Sequence, residues 1–329
     1  MRIFIIGDKA RYEKFDPDLP VVSECEKVYV DRGLSREKMF RACEDAEVIL
    51  ADAISPVDQE MIDHFKSLRM IHSEGVAFNA IDCKYAAGKG IYVCNNKGAN
   101  AGAVAEQTIM LMLELLRFGI CGDHAVREGR QIQMKEERMV QGITELADCT
   151  VGLIGFGDIA QETAKRLQSF GCKSYYNSRN RKSEKTEEVC KCTYLPLMEL
   201  LHTCDIVSLH LAVCDDTKEI VNEEFLLNMK EHAYLINTAR GELISNEAVR
   251  QALIDGRLQG AGFDTLYPEP TPASHPLVAL PKEIKERVVL APHLGGITSG
   301  SFKRMHRNMW ENVIRLKEGQ RPVNIVNAK

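Results

Sequence analysis

Three side chains in the second half of the chain have types suited to chemistry on a small anionic substrate. They are Arg240 in Asn237-Thr238-Ala239-Arg240-Gly241, Glu269 in Tyr267-Pro268-Glu269-Pro270, and His293 in Pro292-His293-Leu294-Gly295-Gly296. A guanidinium holds a carboxylate through a planar, charge-assisted fork and polarises a neighbouring carbonyl. An imidazolium delivers a proton, and a carboxylate beside it orients the ring and favours its protonated form. Reduction of a 2-oxo acid needs these parts together with a hydride donor: Arg240 then binds, His293 donates the proton and Glu269 tunes it. Taken singly, a His near a strand end is commonly a structural hydrogen-bonding residue, and Arg-Gly after a strand commonly caps a turn.

A place for the hydride donor lies upstream. Gly155-Phe156-Gly157-Asp158-Ile159-Ala160 follows the apolar run 150–154 and opens a helical pattern over 161–170, the setting that a dinucleotide fingerprint requires. Gly155 permits the tight turn, Gly157 lets backbone approach a pyrophosphate, and Ala160 stands where a third Gly is commoner, for close helix packing. The helix N-terminus offers N–H groups and its positive dipole end to phosphates. About 20 residues on, an NAD enzyme normally places an acid on the ribose hydroxyls. This chain instead reads Tyr175-Tyr176-Asn177-Ser178-Arg179-Asn180-Arg181-Lys182, with no carboxylate before Glu184. Without that acid a 2′-phosphate meets no repulsion, and Arg179 or Arg181 could pair with it, so NADP(H) is expected over NAD(H). The alternative is that both arginines are ordinary solvated loop residues.

Elements that would position these groups can be read from hydrophobic periodicity. Apolar runs at 2–6, 48–51, 69–72 and 91–94 alternate with helical patterns in the first hundred residues. Strand, helix, strand in succession implies a parallel sheet with right-handed crossovers and helices on both faces. A long helix begins near Asn100, a candidate N-cap, and runs through Leu116. A second α/β unit starts at Thr150 and continues with runs at 205–211, 234–237, 260–264 and 288–291. Arg240, Glu269 and His293 each follow one of these runs, and ligands of open α/β sheets bind outside the carboxyl ends of strands. The charged stretch 127–138 reads as a solvated face or as an arm packing on a partner subunit.

Composition limits the alternatives. A length of 329 residues suggests about two domains, and 45% hydrophobic with 27% charged residues is ordinary globular usage. Lys+Arg 42 against Asp+Glu 47 gives 42 − 47 = −5, which argues against a nucleic-acid surface or a polybasic membrane anchor. Eleven scattered cysteines, an odd number, fit a reducing cytoplasm better than a disulfide-stapled secreted domain. The N-terminal run ends at the charges of Asp8 and Lys9 and reads as a strand rather than a leader. The run 109–113 is stopped by Glu114, well short of the roughly 20 residues that a membrane helix needs. Cys190 and Cys192, with Cys204 and Cys214 later, lack a second pair at zinc-ligand spacing, so no metal is expected. No HExxH, P-loop or GxSxG string supports hydrolase or kinase-type chemistry.

In their order, these motifs resemble those of the D-isomer specific 2-hydroxyacid dehydrogenase family. The likeness spans nearly the whole chain. It takes in Gly75-Val76-Ala77-Phe78-Asn79-Ala80-Ile81-Asp82, Gly98-Ala99-Asn100-Ala101 with Val104-Ala105-Glu106, the fingerprint, the three catalytic motifs and the ending Arg321-Pro322-Val323-Asn324-Ile325-Val326-Asn327. The resemblance implies an α/β protein of two Rossmann-like or flavodoxin-like parallel-sheet domains. An NAD(P)-binding domain (100–297) is inserted into a discontinuous substrate domain (1–99 and 298–329), with a dimerisation arm near 120–148 and a homodimeric assembly. It implies that the backbone amides of Val76 and Ala77 hold the substrate carboxylate with Arg240 and His293, and that Asp264 binds the nicotinamide carboxamide. Thr108 then lies near the ring. The other implied cofactor contacts are Gly155, Phe156, Gly157, Asp158, Ile159, Ser178, Arg179, Arg181, His210, Leu211, Thr238, His293, Gly295 and Gly296. Closure of the domains would expel water and align donor with acceptor.

The chain also departs from the family pattern. Ala77 replaces a usual Gly, Asn79 a usual Asp and Ala212 a usual Pro, and Ser178 stands at the ribose acid. Glu74 is unusual beside an anionic substrate. Facing the pocket it could repel a bulky anion or accept from a substrate hydroxyl; the expectation is that it faces solvent. The activity implied is NAD(P)H-dependent reduction of a small 2-oxo acid, such as glyoxylate or hydroxypyruvate, to the D-2-hydroxy acid. Two alternatives stand beside it. One is an enzyme like phosphoglycerate dehydrogenase, although the end at Lys329 leaves no room for an extra regulatory domain. The other is a dinucleotide-sensing binding protein like the corepressors of this fold, which the lack of basic or low-complexity extensions disfavours.

Overall fold

The computed structural model describes residues 1–327. Its contacts divide the chain into two α/β units, one formed by Met1–Asn100 with the segment from Ile297 onward, the other by Ala101–Gly296.

In the first unit, β1 (Arg2–Ile6), β2 (Glu26–Val30), β3 (Val48–Ala51), β4 (Met70–Ser73) and β5 (Tyr92–Cys94) form a parallel sheet in the order β2-β1-β3-β4-β5. Helices cover both faces, so the inner strands read as unbroken apolar runs rather than alternating ones. Ile3 to Ile6 and Val48 to Ala51 are all buried and pair in register, Ile3 beside Val48 and Ile6 beside Ala51. One face packs Phe4, Ile6, Ile49 and Ile71 with Met39 and Met61. The other packs Ile3, Ile5, Leu50 and Met70 against Tyr12 of the helix Lys9–Phe15 and against Met309, Trp310 and Val313 of the helix Ser299–Lys317. β2 carries a half-exposed edge pattern with Glu26 and Lys27 at its start, and for that reason no apolar run announces it.

The second unit holds β6 (Thr150–Ile154), β7 (Lys173–Asn177), β8 (Cys192–Tyr194), β9 (Ile206–Leu209), β10 (Ala233–Asn237), β11 (Leu258–Phe263) and β12 (Val288–Leu290). These are parallel, in the order β12-β11-β10-β9-β6-β7-β8. The winding reverses between β6 and β9, and such a reversal opens a crevice at the carboxyl ends of the two strands. The long helix Ala101–Arg117 lies against β10, β11 and β12, and contains the apolar run that begins at Ile109. Among the described residues no helix is long and apolar enough to cross a membrane. The charged stretch forms the helices Gly119–Arg127 and Gln131–Gln141; the second buries no residue and leaves Ile132, Met139 and Val140 exposed.

Candidate active site

At the winding reversal, β6 turns into the helix Asp158–Phe170 through Gly155, whose φ of +88° lies in the left-handed region. The Gly155 N–H donates to Asn177 O at 2.8 Å, and a Cβ at Gly155 would sit 2.4 Å from the His210 carbonyl oxygen. The ends of β6 and β9 therefore approach as closely as bare backbone permits. Gly157 is the helix N-cap, has no side-chain cap and faces open space within 4 Å. Uncapped helix N–H groups behind a residue without a side chain fit a pyrophosphate. Asp158 is exposed and Ile159 half-buried, whereas Phe156 is buried and stacks on Tyr176 with 4.0 Å between ring centroids. Only the backbone of Phe156 is left for a cofactor. His210 bonds Ser208 Oγ through Nε2 at 3.0 Å, and burial lowers its pKa to about 3, so it is a neutral imidazole. Leu211 follows it, half-buried, with a methyl group beside Gly155.

Past β7, the Ser178 hydroxyl donates to Asn180 O at 2.8 Å and closes the turn on itself. Arg181 is already committed, since its Nε and Nη2 reach the two oxygens of Glu187 at 2.8 and 2.9 Å. The Arg181 guanidinium and then the Tyr176 hydroxyl hold the Glu187 carboxyl down to about 2. Arg179 is exposed, with Asp216 at 3.7 Å as its ion-pair partner. Of the two arginines, Arg179 has the less committed guanidinium.

The loops after three neighbouring strands carry the catalytic candidates. After β10, the buried Asn237 accepts from Ala239 N and donates to Arg240 O, which sets the extended backbone of the half-buried Arg240. Thr238 Oγ1 lies 2.9 Å from Oγ1 of the fully buried Thr108. After β11, the buried Asp264 accepts from Leu294 N and Gln107 Nε2 on Oδ1, and from Gly295 N on Oδ2. Those bonds anchor the left-handed turn at His293, φ +57°, and with it Gly295 and Gly296. His293 Nδ1 lies 2.9 Å from Glu269 Oε1 and 3.1 Å from Oε2. A carboxylate only accepts, so Nδ1 carries the hydrogen, and Nε2, without a partner among the described residues, is the nitrogen available to a substrate.

Val76 and Ala77 belong to the first unit, in the loop after β4. Every carbonyl from Ser73 to Ala77 accepts a hydrogen bond. Ser73 O and Glu74 O accept from Asn96 Nδ2, Gly75 O from Asn96 N, Val76 O from Asn95 Nδ2 and Ala77 O from Ser73 Oγ. The N–H groups of Val76 and Ala77 have no acceptor among the described residues, an arrangement that suits an anion. Glu74 corrects the expectation that it faces solvent. It is 4% exposed and bonded to Arg11 and His306, two cationic side chains far away in sequence that make its burial possible. Cys190, Cys192 and Cys204 are buried, and burial pushes the thiols of Cys192 and Cys204 up to about 12.

Residues 109–295 match the family model described as D-isomer specific 2-hydroxyacid dehydrogenase, NAD binding domain. Over 318 residues the chain is 35% identical to the glyoxylate reductase of Thermofilum pendens, covering 95% of this chain and 92% of that one. The chain belongs to the D-isomer specific 2-hydroxyacid dehydrogenase family. Among solved structures it is similar to a glyoxylate reductase from Paecilomyes thermophila, with 28% identity, a TM-score of 0.81 and coverage of 99% and 98% of the two chains. It is also similar to the D-isomer specific 2-hydroxyacid dehydrogenase of Lactobacillus delbrueckii ssp. bulgaricus in its NAD-complexed form, with 25% identity, a TM-score of 0.80 and coverage of 99% and 100%. The protein is thus an NAD(P)-dependent oxidoreductase that interconverts 2-oxo and 2-hydroxy acids. In this dehydrogenase the bare turn at Gly155 and the uncapped N-terminus at Gly157 fit the dinucleotide that the family requires. Gln107, Asn95, Asn96 and Glu187 escaped the sequence reading. Each acts by bracing a neighbour, and no local motif marks that role.

Proposed function

We propose that this dehydrogenase acts as a reductase of small 2-oxo acids of the glyoxylate and hydroxypyruvate type, giving the D-2-hydroxy acid, with NADPH preferred over NADH. The observation that carries the reading is the His293–Glu269 pair, in which both carboxylate oxygens face Nδ1 and Nε2 is left for the substrate. When bound, NAD(P)H supplies the hydride that adds to the carbonyl carbon. His293 gives its Nε2 proton to the carbonyl oxygen as that bond becomes C–O–H, and Glu269 stabilises the imidazolium before the transfer. In the second unit Arg240 serves as the cation for the substrate carboxylate and polarises the carbonyl, and in the first unit the amides of Val76 and Ala77 serve as carboxylate donors. Thr108, Thr238, His210, Leu211 and Asp264 line the cofactor side.

In this reading the first unit binds substrate and the second binds cofactor. The preference for small substrates is supported by relatives that are named glyoxylate reductases. The preference for NADPH is supported by Ser178 in place of a ribose acid and by the exposed guanidinium of Arg179. A homodimer built on the arm 120–148 is supported by the exposed Ile132, Met139 and Val140, and a reducing, cytoplasmic location by the eleven unpaired cysteines. The test is to mix the purified chain with NADPH or NADH and a panel of 2-oxo acids and to follow the absorbance of the reduced cofactor. Glyoxylate- and hydroxypyruvate-dependent oxidation, faster with NADPH, is expected. Tight cofactor binding without turnover on any acid overturns the reading in favour of a sensor, and a higher kcat/KM with NADH overturns the cofactor preference.

A further inference from the structure

Beneath the loop 73–77, the first unit buries an ion cluster to which the reaction assigns no part. His306, in the helix Ser299–Lys317, has a side chain with no exposed surface. Its Nε2 lies 3.0 Å from Glu74 Oε1 and its Nδ1 lies 3.3 Å from Asp16 Oδ1. An ionised carboxylate is an acceptor only, and a neutral imidazole has one N–H. A neutral ring would therefore turn a lone pair onto a carboxylate oxygen in the interior, so this geometry calls for the imidazolium. Burial opposes the cation, but the hydrogen bonds to Asp16 and Glu74 outweigh it and the ring holds its proton more tightly than a free imidazole.

The surroundings of the ring are charged and aromatic. From the helix Lys9–Phe15, Arg11 binds Glu74 through Nε and Nη2 at 3.0 and 2.7 Å. The Tyr12 ring from the same helix lies 4.9 Å from the imidazole, and burial raises the pKa of its hydroxyl. Lys27 of β2 stands 3.5 Å from Asp16 Oδ2, and Tyr29 of β2 packs edge-on against Tyr12. From the helix of His306 itself, Trp310 Nε1 donates to Asp16 Oδ1 at 2.7 Å. Glu74 is the one member of the cluster that belongs to the loop, directly ahead of Gly75-Val76-Ala77. Its side chain ties that loop to the helix Ser299–Lys317, while Asn96 holds its carbonyl.

We propose that His306 is a positioning residue: its imidazolium holds Glu74 and, through Glu74, the amides of Val76 and Ala77, so that affinity for the substrate carboxylate depends on the His306 proton. This rests on the reading of Val76 and Ala77 as carboxylate binders. When the proton leaves at alkaline pH, one of the two carboxylates loses its donor. Glu74 then keeps only the partly exposed Arg11, and the loop must be ordered at the expense of substrate binding. KM rises and the hydride-transfer step does not change. Loss of one charge-assisted hydrogen bond at the loop corresponds to roughly a tenfold rise in KM.

Two measurements on the whole enzyme test this. The first is histidine-selective nuclear magnetic resonance, with the His306 signal assigned as the one missing from His306→Gln. The ring is expected to be protonated at neutral pH and to titrate above it; a neutral ring at neutral pH overturns the proposal. The second is the pH dependence of KM and kcat for glyoxylate. In the natural enzyme KM should climb over the range in which the His306 signal titrates, with no matching break in kcat. In His306→Gln, KM should be raised at neutral pH and the climb should vanish. If that variant does not fold, Glu74→Gln, which lets a neutral ring satisfy Asp16 alone, must give the same flattened profile. KM profiles of the folded variant and the natural enzyme that coincide while turnover persists overturn this inference alone. Absence of turnover on every 2-oxo acid overturns the functional reading, and this inference with it.

Discussion

Alanine at Gly155 and alanine at Gly157 are the same chemical change two residues apart, and the structure gives them opposite consequences. Gly155 has φ +88°, and a left-handed backbone costs an L-residue about 1–2 kcal/mol. The added Cβ would also lie 2.4 Å from the His210 carbonyl oxygen and 2.8 Å from its carbon, which are backbone atoms that cannot swing aside. The ends of β6 and β9 must separate, an overpacking cost of about 1–3 kcal/mol, so Gly155→Ala should lose about 2–5 kcal/mol. At about 2–4 °C per kcal/mol for a domain of this size, the second unit should melt about 4–20 °C lower. Gly157 has ordinary extended backbone, φ −82° and ψ −168°, and its Cβ would meet nothing within 4 Å. Gly157→Ala should therefore hold its melting point to within about 0.5 kcal/mol of stability. Its methyl group nevertheless takes up the open space at the N-cap position of the uncapped helix. If a pyrophosphate comes to rest there, losing about 1.5–3 kcal/mol of charge-assisted hydrogen bonding weakens NADPH binding by about tenfold to a hundredfold. Scanning calorimetry and NADPH fluorescence titration of both variants read the two effects separately. A Gly155→Ala protein that melts with the natural one, or a Gly157→Ala protein that binds NADPH normally, would refute the reasoning from the respective glycine.

Four further predictions follow from the same geometry. His293→Ala removes the proton donor and should lower kcat by about 10²–10⁴ with an unchanged melting curve, because the side chain is 40% exposed; Glu269→Gln should lose roughly tenfold in steady-state kcat. Arg179→Ala should raise KM for NADPH and leave KM for NADH unchanged, whereas Arg181→Ala, whose guanidinium is spent on Glu187, should shift that ratio less; equal shifts from both would contradict the assignment. Asn96→Ala leaves the Glu74 carbonyl without its donor, at about 1–3 kcal/mol for an unsatisfied buried group, and should raise KM for glyoxylate along with the stability loss seen in denaturant titration. The cluster in the first unit fixes the sign of its pH dependence. The pKa of Asp16 is lowered: burial opposes the shift, and the bonds from His306 and Trp310 prevail, so its contribution is lost as pH falls through that lowered value. The His306 contribution is full below about 6.5 and is lost as pH rises through its raised value, so melting scans should show stability declining on both sides and His306→Gln should flatten the alkaline limb.

Local signals were legible in the sequence and distant pairings were not. The turn at Gly155 is specified within a few residues by a strand, two glycines and a helix, so spacing alone locates it. The inner strands β1 and β3 are buried on both faces and announce themselves as apolar runs. β8 is three residues long and β2 lies half exposed at an edge, which leaves neither a period to detect. Glu74 shows the limit most clearly. A carboxylate next to a predicted anion site is reasonably expected to face solvent, unless its counter-charges are known. Those are Arg11 and His306, 63 and 232 positions away.

In the proposed reading both units are built for an anion in the same way, with carbonyls bonded and amides left without an acceptor among the described residues. At Gly157 the helix does this, since its first N–H groups have no carbonyl partner within the helix. After β4, where no helix of any length begins, Ser73, Asn95 and Asn96 take the place of a helix by holding five successive carbonyls. The consequence for sequence variation is direct. A backbone N–H is present whatever the side chain, so the amides at 76 and 77 do not require Val76 and Ala77 to be those residue types, and Ala77 can stand where the resemblance gives a usual Gly. The burden of identity falls on the bracing residues instead. Asn96 is fully buried and supplies both its backbone N–H and its side-chain amide to the loop, a pair of bonds that no other residue type at that position reproduces in the same geometry. In the proposed reading, chemistry carried by backbone amides is recorded in the residues that brace them, and His306, acting through Glu74, is part of that brace.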